Sequence, residues 1–339
     1  MLFMFDKLAP LPIHNKTYRR LMVIGMIWFL GGAWLDASGH TYLDESLESF
    51  FTPWHGMLYS GYLFVLVFYL YVKNQMQDYR FDIGLLGGTI FAIGGASDLV
   101  WHTLIGIEVG IEPLLSASHI LLFLGSFLML DHAFASRPKK KSLDNTAIFA
   151  IASSYSLVLF ITQFLNPYLR VDLFFIYGDP YQVIGAASVF IQAFVATYVF
   201  VYTIRFNPSN NQFFMLFLSS FAYMSIFHIL GNEPWDLLNI LIFGFIYSYF
   251  VRLVINWYYK TNNARKMQIS AALVAGLYGL VAVLFIFFHQ WGNAYVGIYE
   301  SITWRFYGLS GLIVTPMLFG YMIGNLGVSP STGEIVSSS

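Results

Sequence analysis

Asp36 and His40, in "DASGHTYLDESLESFFTPWHG" (36–56), are spaced for one face of a helix, and so are Asp98 and His102 in "DLVWHTLIGIEVGIEPLLSASHI" (98–120). Residues i and i+4 stack one above the other on an α-helix, so each pair aims a carboxylate and an imidazole at the same point. A further histidine follows in each stretch, His55 after 14 residues and His119 after 16. Two imidazoles and one carboxylate make a facial set that suits copper(II), iron(II) or zinc and leaves positions open for water, dioxygen or a substrate. Asp36, His40, His55, Asp98, His102 and His119 are therefore the candidate metal ligands. Glu108 and Glu112 fall between His102 and His119 at i,i+4 spacing. They read as partners of the ligands, or as a rim that attracts cations, and not as ligands themselves. A structural cluster of hydrogen-bonded polar groups would use the same residue types. So would haem ligation or a proton relay, but haem does not require an Asp four residues before each helix-end His. A relay would string its groups across the bilayer, whereas these gather at one face.

The elements that must carry these residues are apolar helices. The chain has 339 residues, of which 58% are apolar, 19% aromatic and 10% charged, with a mean hydropathy of +0.64. A soluble domain carries about 25% charge. Ten apolar runs, near 20–40, 54–73, 82–105, 115–135, 146–165, 181–204, 211–230, 236–258, 267–289 and 304–325, are each about the length that crosses roughly 30 Å of hydrocarbon. The expected fold is all-α: a polytopic transmembrane bundle of about ten helices in contact with a lipid bilayer. The expected organisation is a membrane domain over 1–135 carrying the duplicated motif, further helices of the same bundle over 136–326, and a disordered polar tail over 327–339. The absence of cysteine excludes disulfides, iron–sulfur clusters and thiolate metal sites. A net charge of −1 gives no electrostatic footprint for nucleic acid. The 12 methionines are scattered, with Met57 alone near a triplet, so there is no thioether ladder of the kind that soft copper(I) would need for transport.

Lys and Arg fix an expected orientation. With ten crossings, every basic residue except Arg170 and Arg305 falls on one side, which the positive-inside rule makes cytoplasmic along with both termini. The opposite, extracytoplasmic side is acidic and collects His40, His55, His102, His119, His228 and His289. His14 and His132 fall on the cytoplasmic side and look ordinary. His228 and His289 stand apart from the triplets and read as core or supporting residues. The first four helices form two hairpins in tandem with one shared orientation, and the pairing of consecutive hairpins would bring the two triplets close together. "GDPYQVIGAA", "GNEPWDLLNI" and "GNAYVGIYESITW" can be read as degenerate outer turns of three further copies.

The segment "DASGH…FFTPWH" resembles the metal motif of the C subunit of copper membrane monooxygenases, the particulate methane and ammonia monooxygenases. In that family a helix ends in Asp-x3-His, and Asp-Phe-Thr-Pro-Ser-His opens the next. Asp36 and His40 match the first element; Phe51, Thr52, Pro53 and His55 match the second. Proline is well tolerated at a helix start and threonine caps the first amides. The resemblance implies that Asp36, His40 and His55 are copper ligands. The chain departs from the family pattern in its longer spacer without arginine, in Trp54 where the family has Ser, and in a second copy (115–119) without proline. The function expected on this basis is an integral membrane metal-binding protein, with copper favoured over iron or zinc, serving as a monooxygenase-like subunit for a small or lipidic substrate. A partner would then have to supply electrons, because the chain has no flavin or haem motif, and other membrane subunits are possible partners. Metal delivery or sensing without turnover, and a purely structural subunit, are the alternatives.

Overall fold

The computed structural model describes residues 16–43, 50–76, 83–104, 106, 108, 110–135, 143–175, 179–231, 234–294 and 306–326. Within them there are helices and turns and no strands. The helices are α1 (Lys16–Tyr42), α2 (Pro53–Met76), α3 (Ile83–Leu104), the single turn α4 (Glu112–Leu115), α5 (Ala117–Ala135), α6 (Asn145–Ile161), α7 (Asp179–Ile204), α8 (Asn210–Ser225), α9 (Pro234–Lys260), α10 (Lys266–Ala294) and α11 (Phe306–Leu326). Each of the ten expected apolar runs contains an α-helix among its described residues. His14 and the tail after 326 lie outside the described residues.

Six segments are both long and apolar enough to cross a membrane: Arg20–Tyr42, Ile83–Leu104, Pro180–Ile204, Trp235–Lys260, Lys266–His289 and Gly308–Leu326. The chain is thus a multi-pass membrane protein by length and composition. Other helices fall short of that standard. The 16 residues of α8 rise only about 24 Å at about 1.5 Å each, and the apolar stretches Ala117–His132 and Asn145–Ile161 are similarly short.

The chain forms two compact units. The first comprises Met1–Ile161 and Ser219–Leu238, the second Thr162–Leu218 and Asn239–Ser339. In the first, α6 belongs with the two hairpins. The fully buried Trp34 of α1 donates its indole N–H to Ser156 of α6 at 2.9 Å, and its ring meets Phe160 edge-on at 5.1 Å. Ser38 of α1 accepts the Leu230 amide at 3.1 Å. Burying Trp34 in apolar surroundings is favourable only because its N–H has a partner.

In the second unit α10 and α11 lie against each other along small residues. A Cβ on Gly324 would sit 2.5 Å from Gln268 Cα, and one on Gly320 would sit 2.5 Å from the Ala271 carbonyl oxygen. Close approach through glycine replaces the hydrophobic driving force that lipid cannot supply between helices. Gln192 donates to Thr162 Oγ1 and to the Leu165 carbonyl, both at 2.8 Å, and so binds the short 3-10 turn before α7. The acid Asp172 forms a two-point ion pair with Arg170 at 2.8 and 2.9 Å.

Candidate metal centre

Two antiparallel hairpins carry the candidate ligands, and glycine sets how closely each hairpin shuts. A Cβ on Gly32 of α1 would meet Leu58 Cα at 2.7 Å, and one on Gly61 of α2 would meet Phe29 Cα at 2.7 Å. In the second hairpin a Cβ on Gly94 of α3 would meet the Leu122 amide at 2.9 Å, and one on Gly125 of α5 would meet the Gly87 carbonyl oxygen at 2.6 Å. These glycines hold the same register in both copies. Gly32, Asp36, His40 and Gly94, Asp98, His102 each run at intervals of four, and Gly61 and Gly125 each stand six residues after the returning histidine. The duplication therefore covers the hairpin packing as well as the polar triplets.

Backbone contact at these glycines brings the helix ends together. Asp36 Oδ1 lies 3.5 Å from His55 Nε2, and its Oδ2 lies 3.9 Å from His40 Nε2. Asp98 Oδ2 lies 3.5 Å from His102 Nε2, and its Oδ1 lies 3.5 Å from His119 Nδ1. In each copy one carboxylate spans its two histidines. The two sets also meet. Ligand atoms of His55, Asp98 and His102 fall within 4.8 Å of one another, as do those of Asp36, His40 and His55. The His40 and His102 rings face each other nearly parallel, 6.5 Å apart. All six candidate ligands thus belong to one continuous cluster at one end of α1, α2, α3 and α5.

Each returning histidine is held by a hydroxyl. Thr52 Oγ1 hydrogen-bonds His55 Nδ1 at 2.9 Å and also accepts the His55 amide at 3.2 Å, so the expected helix cap has a second task. Ser116 Oγ hydrogen-bonds His119 Nδ1 at 2.8 Å. In both copies the hydroxyl stands three residues before the histidine, a regularity visible in the sequence once the duplication is aligned on its histidines. At His55 the bond leaves Nε2, the nitrogen facing Asp36, for a metal, the usual arrangement of an outer partner to a ligating imidazole. At His119 the bonded Nδ1 is itself the nitrogen facing Asp98 and Glu108. Phe50 stacks on His55 at 5.2 Å and closes another side. Thr52→Val, which keeps the shape and removes the hydroxyl, should weaken metal binding at His55 by about tenfold while the helix content stays unchanged; titration of the stripped protein with copper checks this.

The cluster is short of hydrogen bonds. Asp98 is 1% exposed and its Oδ1 has no hydrogen-bond partner among the described residues, nor does either ring nitrogen of His102. Both carboxylate oxygens of Glu108 are in the same position. Buried polar atoms are nearly always satisfied, so a group of orphans on ligand-type residues calls for something to sit among them. A cavity of about 40 Å³ adjoins them, lined by Asp36, His55, Asp98 and His119 together with Tyr59, Phe91 and Phe123. Tyr59 stands one turn after His55, and its buried hydroxyl also has no hydrogen-bond partner among the described residues.

The remaining histidines are elsewhere. His132 lies at the opposite end of the hairpins, its ring 4.7 Å from Tyr69. His228 accepts or donates a 2.8 Å hydrogen bond with Tyr42, two residues beyond His40, and stands 4.0 Å from Asp236. It supports the end of α1 and joins none of the ligand groups. His289, in the second unit, packs against Phe175 and Phe285. Glu112 opens α4 in an exposed position, whereas Glu108 lies in the loop before it, so the i,i+4 relation between the two never becomes a helical one. Asp44, Glu45, Glu48, Glu233 and Glu300 lie outside the described residues. No family model matches the chain, and no curated protein or solved structure matches it either.

Proposed function

We propose that this is an integral membrane metalloprotein that holds copper at an extracytoplasmic Asp/His centre and serves as a monooxygenase-like subunit. The observation that carries the reading is the hairpin design, present twice, that sets two imidazoles against one carboxylate, with Asp98 Oδ1, both His102 nitrogens and both Glu108 oxygens lacking a hydrogen-bond partner among the described residues. Asp36, His40 and His55 would hold one ion, and Asp98, His102 and His119 a second. Bound copper would supply activation of dioxygen.

The protein's own residues have definable tasks in that chemistry. Asp36 and Asp98 offset the charge of the cations. Thr52 and Ser116 hold the imidazole planes. The phenylalanines around the cavity keep bulk water from the ions, and the Tyr59 hydroxyl is free to donate a hydrogen bond to a molecule lodged beside them. A cavity of about 40 Å³ holds a molecule of a few heavy atoms and no lipid chain, which favours the small substrate over the lipidic one. The local resemblance of Asp36, His40 and Phe51-Thr52-Pro53-x-His55 to the copper membrane monooxygenase motif supports copper over zinc. A partner must supply electrons.

The test is metal analysis of the full-length protein purified in detergent from copper-replete cells, followed by an assay for oxygen consumption with an artificial electron donor. The expected result is stoichiometric copper and donor-dependent oxygen uptake. Copper without uptake would make the protein a delivery or sensing device. A folded protein that takes up no metal at all would return the cluster to a structural role.

A further inference from the structure

Glu108 is the one acid of the outer loop that the fold carries inward. Its neighbours at two removes, Gly106 and Gly110, both have positive φ, at 111° and 65°, a region that side chains other than glycine enter at a cost. A Cβ at either glycine would meet nothing within 4 Å, so what these positions require is the backbone turn itself and not room. The Glu108 side chain that results is 8% exposed, with Oε2 3.8 Å from His119 Nδ1. Its ligand atoms fall within 4.8 Å of those of Asp98 and His119.

Two carboxylates are then buried side by side, Asp98 at 1% and Glu108 at 8% side-chain exposure. Among the described residues neither pairs with a lysine or arginine; the titratable groups beside them are the imidazoles of His55, His102 and His119. Removing two such charges from water costs several kcal/mol per ion unless a counter-charge is supplied. One protonated imidazole would not offset both charges. A divalent cation would, and the four oxygens and the orphaned His102 nitrogens are the donors it would take. Among the described residues the second hairpin gathers two carboxylates, Asp98 and Glu108, with the imidazoles of His102 and His119. Replacing imidazole by carboxylate donors shifts a set's relative preference toward iron(II) and manganese(II).

We propose that Glu108, turned inward by the Gly106–Gly110 loop, is a fourth ligand with Asp98, His102 and His119 to a harder divalent cation, iron(II), beside the copper position of the first hairpin. This rests on the metal-centre reading above and gives that reading an asymmetry of metal preference. The role is that of a ligand in the site, not of a rim.

The experiment uses the full-length protein in detergent, stripped by chelator and titrated anaerobically with iron(II), with and without prior loading of one equivalent of copper. The wild type should bind iron(II) after copper loading. Glu108→Gln, which keeps the shape and removes the charge, should weaken that iron(II) binding at least tenfold and leave the copper equivalent intact. Gly110→Ala should weaken it in the same direction while Glu108 is still present. Glu112→Gln, on the exposed turn, should bind as the wild type does. Wild-type iron(II) affinity in Glu108→Gln overturns the Glu108 assignment alone. Failure of the wild type to take up either metal overturns the whole metal-centre reading. The retained copper equivalent in the variant shows that the fold is intact, and loss of both metals together with loss of the folded elution profile is settled by Gly110→Ala, which changes no ligand.

Discussion

The His40→Ala/His55→Ala double variant should lose the copper of the first hairpin, falling below about one tenth of the wild-type content at that position under the same loading. The size of the effect follows from the geometry. Asp36 Oδ1 and Oδ2 face one histidine each, at 3.5 and 3.9 Å, so removing both imidazoles leaves a single carboxylate to hold the ion. One carboxylate with water is a poor copper site, since imidazole is the donor that copper favours. The same reasoning makes Asp36→Asn damaging, because the amide keeps the shape but removes the charge. His132→Ala is the control. Its ring packs on Tyr69 and Gly84 at the other end of the hairpins, so it should leave metal content unchanged whatever it does to stability. Metal analysis of the three purified proteins, each confirmed folded by circular dichroism, decides the matter. Equal copper in the wild type and in the double variant would remove the first-hairpin site.

Much of this arrangement is written in local pattern. Apolar runs of membrane length specify where the helices lie, and the Asp-x3-His spacing places each acid over its histidine because the helix repeats every 3.6 residues. The proximity of the two triplets follows from tandem hairpins. The inward turn of Glu108 is not legible in its spacing, for a physical reason. Its four-residue spacing from Glu112 suggests a helical pair, but two glycines with positive φ break any helix there, and α4 opens only at Glu112. The "GIEVG" pattern carries that information: glycines spaced four apart around an acid mark a turn that returns on itself. Thr52 and Ser116 were half legible. The Thr-Pro step reads as a cap, and the contact from the hydroxyl to the histidine ring needs the ring's position in space. Trp54 is the opposite case. It breaks the family pattern, and the structure accommodates it through Gly39, where a Cβ would come within 2.8 Å of the indole ring atoms. The residue before His40 is small because the residue before His55 is large.

The packing of α3 on α5 makes the second large prediction. A methyl group added at Gly125 would stand 2.6 Å from the Gly87 carbonyl oxygen and 2.6 Å from the Phe91 amide nitrogen. Both are backbone atoms and cannot swing aside, so the helices themselves must separate. Overpacking of this kind costs about 1–3 kcal/mol, and the upper end applies where two backbone contacts must both be relieved. Gly56→Ala provides the matched control on α2, because a Cβ there meets nothing within 4 Å. That variant should be neutral or stabilised by up to about 1 kcal/mol through its better helix propensity. Unfolding in mixed detergent micelles reads both. The consequence reaches the centre as well. His119 stands six residues before Gly125 on the same helix, and Asp98 stands on the helix that Gly125 touches, so separating α3 from α5 lengthens the 3.5 Å approach between them. Gly125→Ala should therefore lose the cation held by the second hairpin while the first hairpin, closed by Gly32 and Gly61, keeps its own. If Gly125→Ala were as stable as Gly56→Ala and bound both ions, glycine contact would not be what sets the distance between Asp98 and His119.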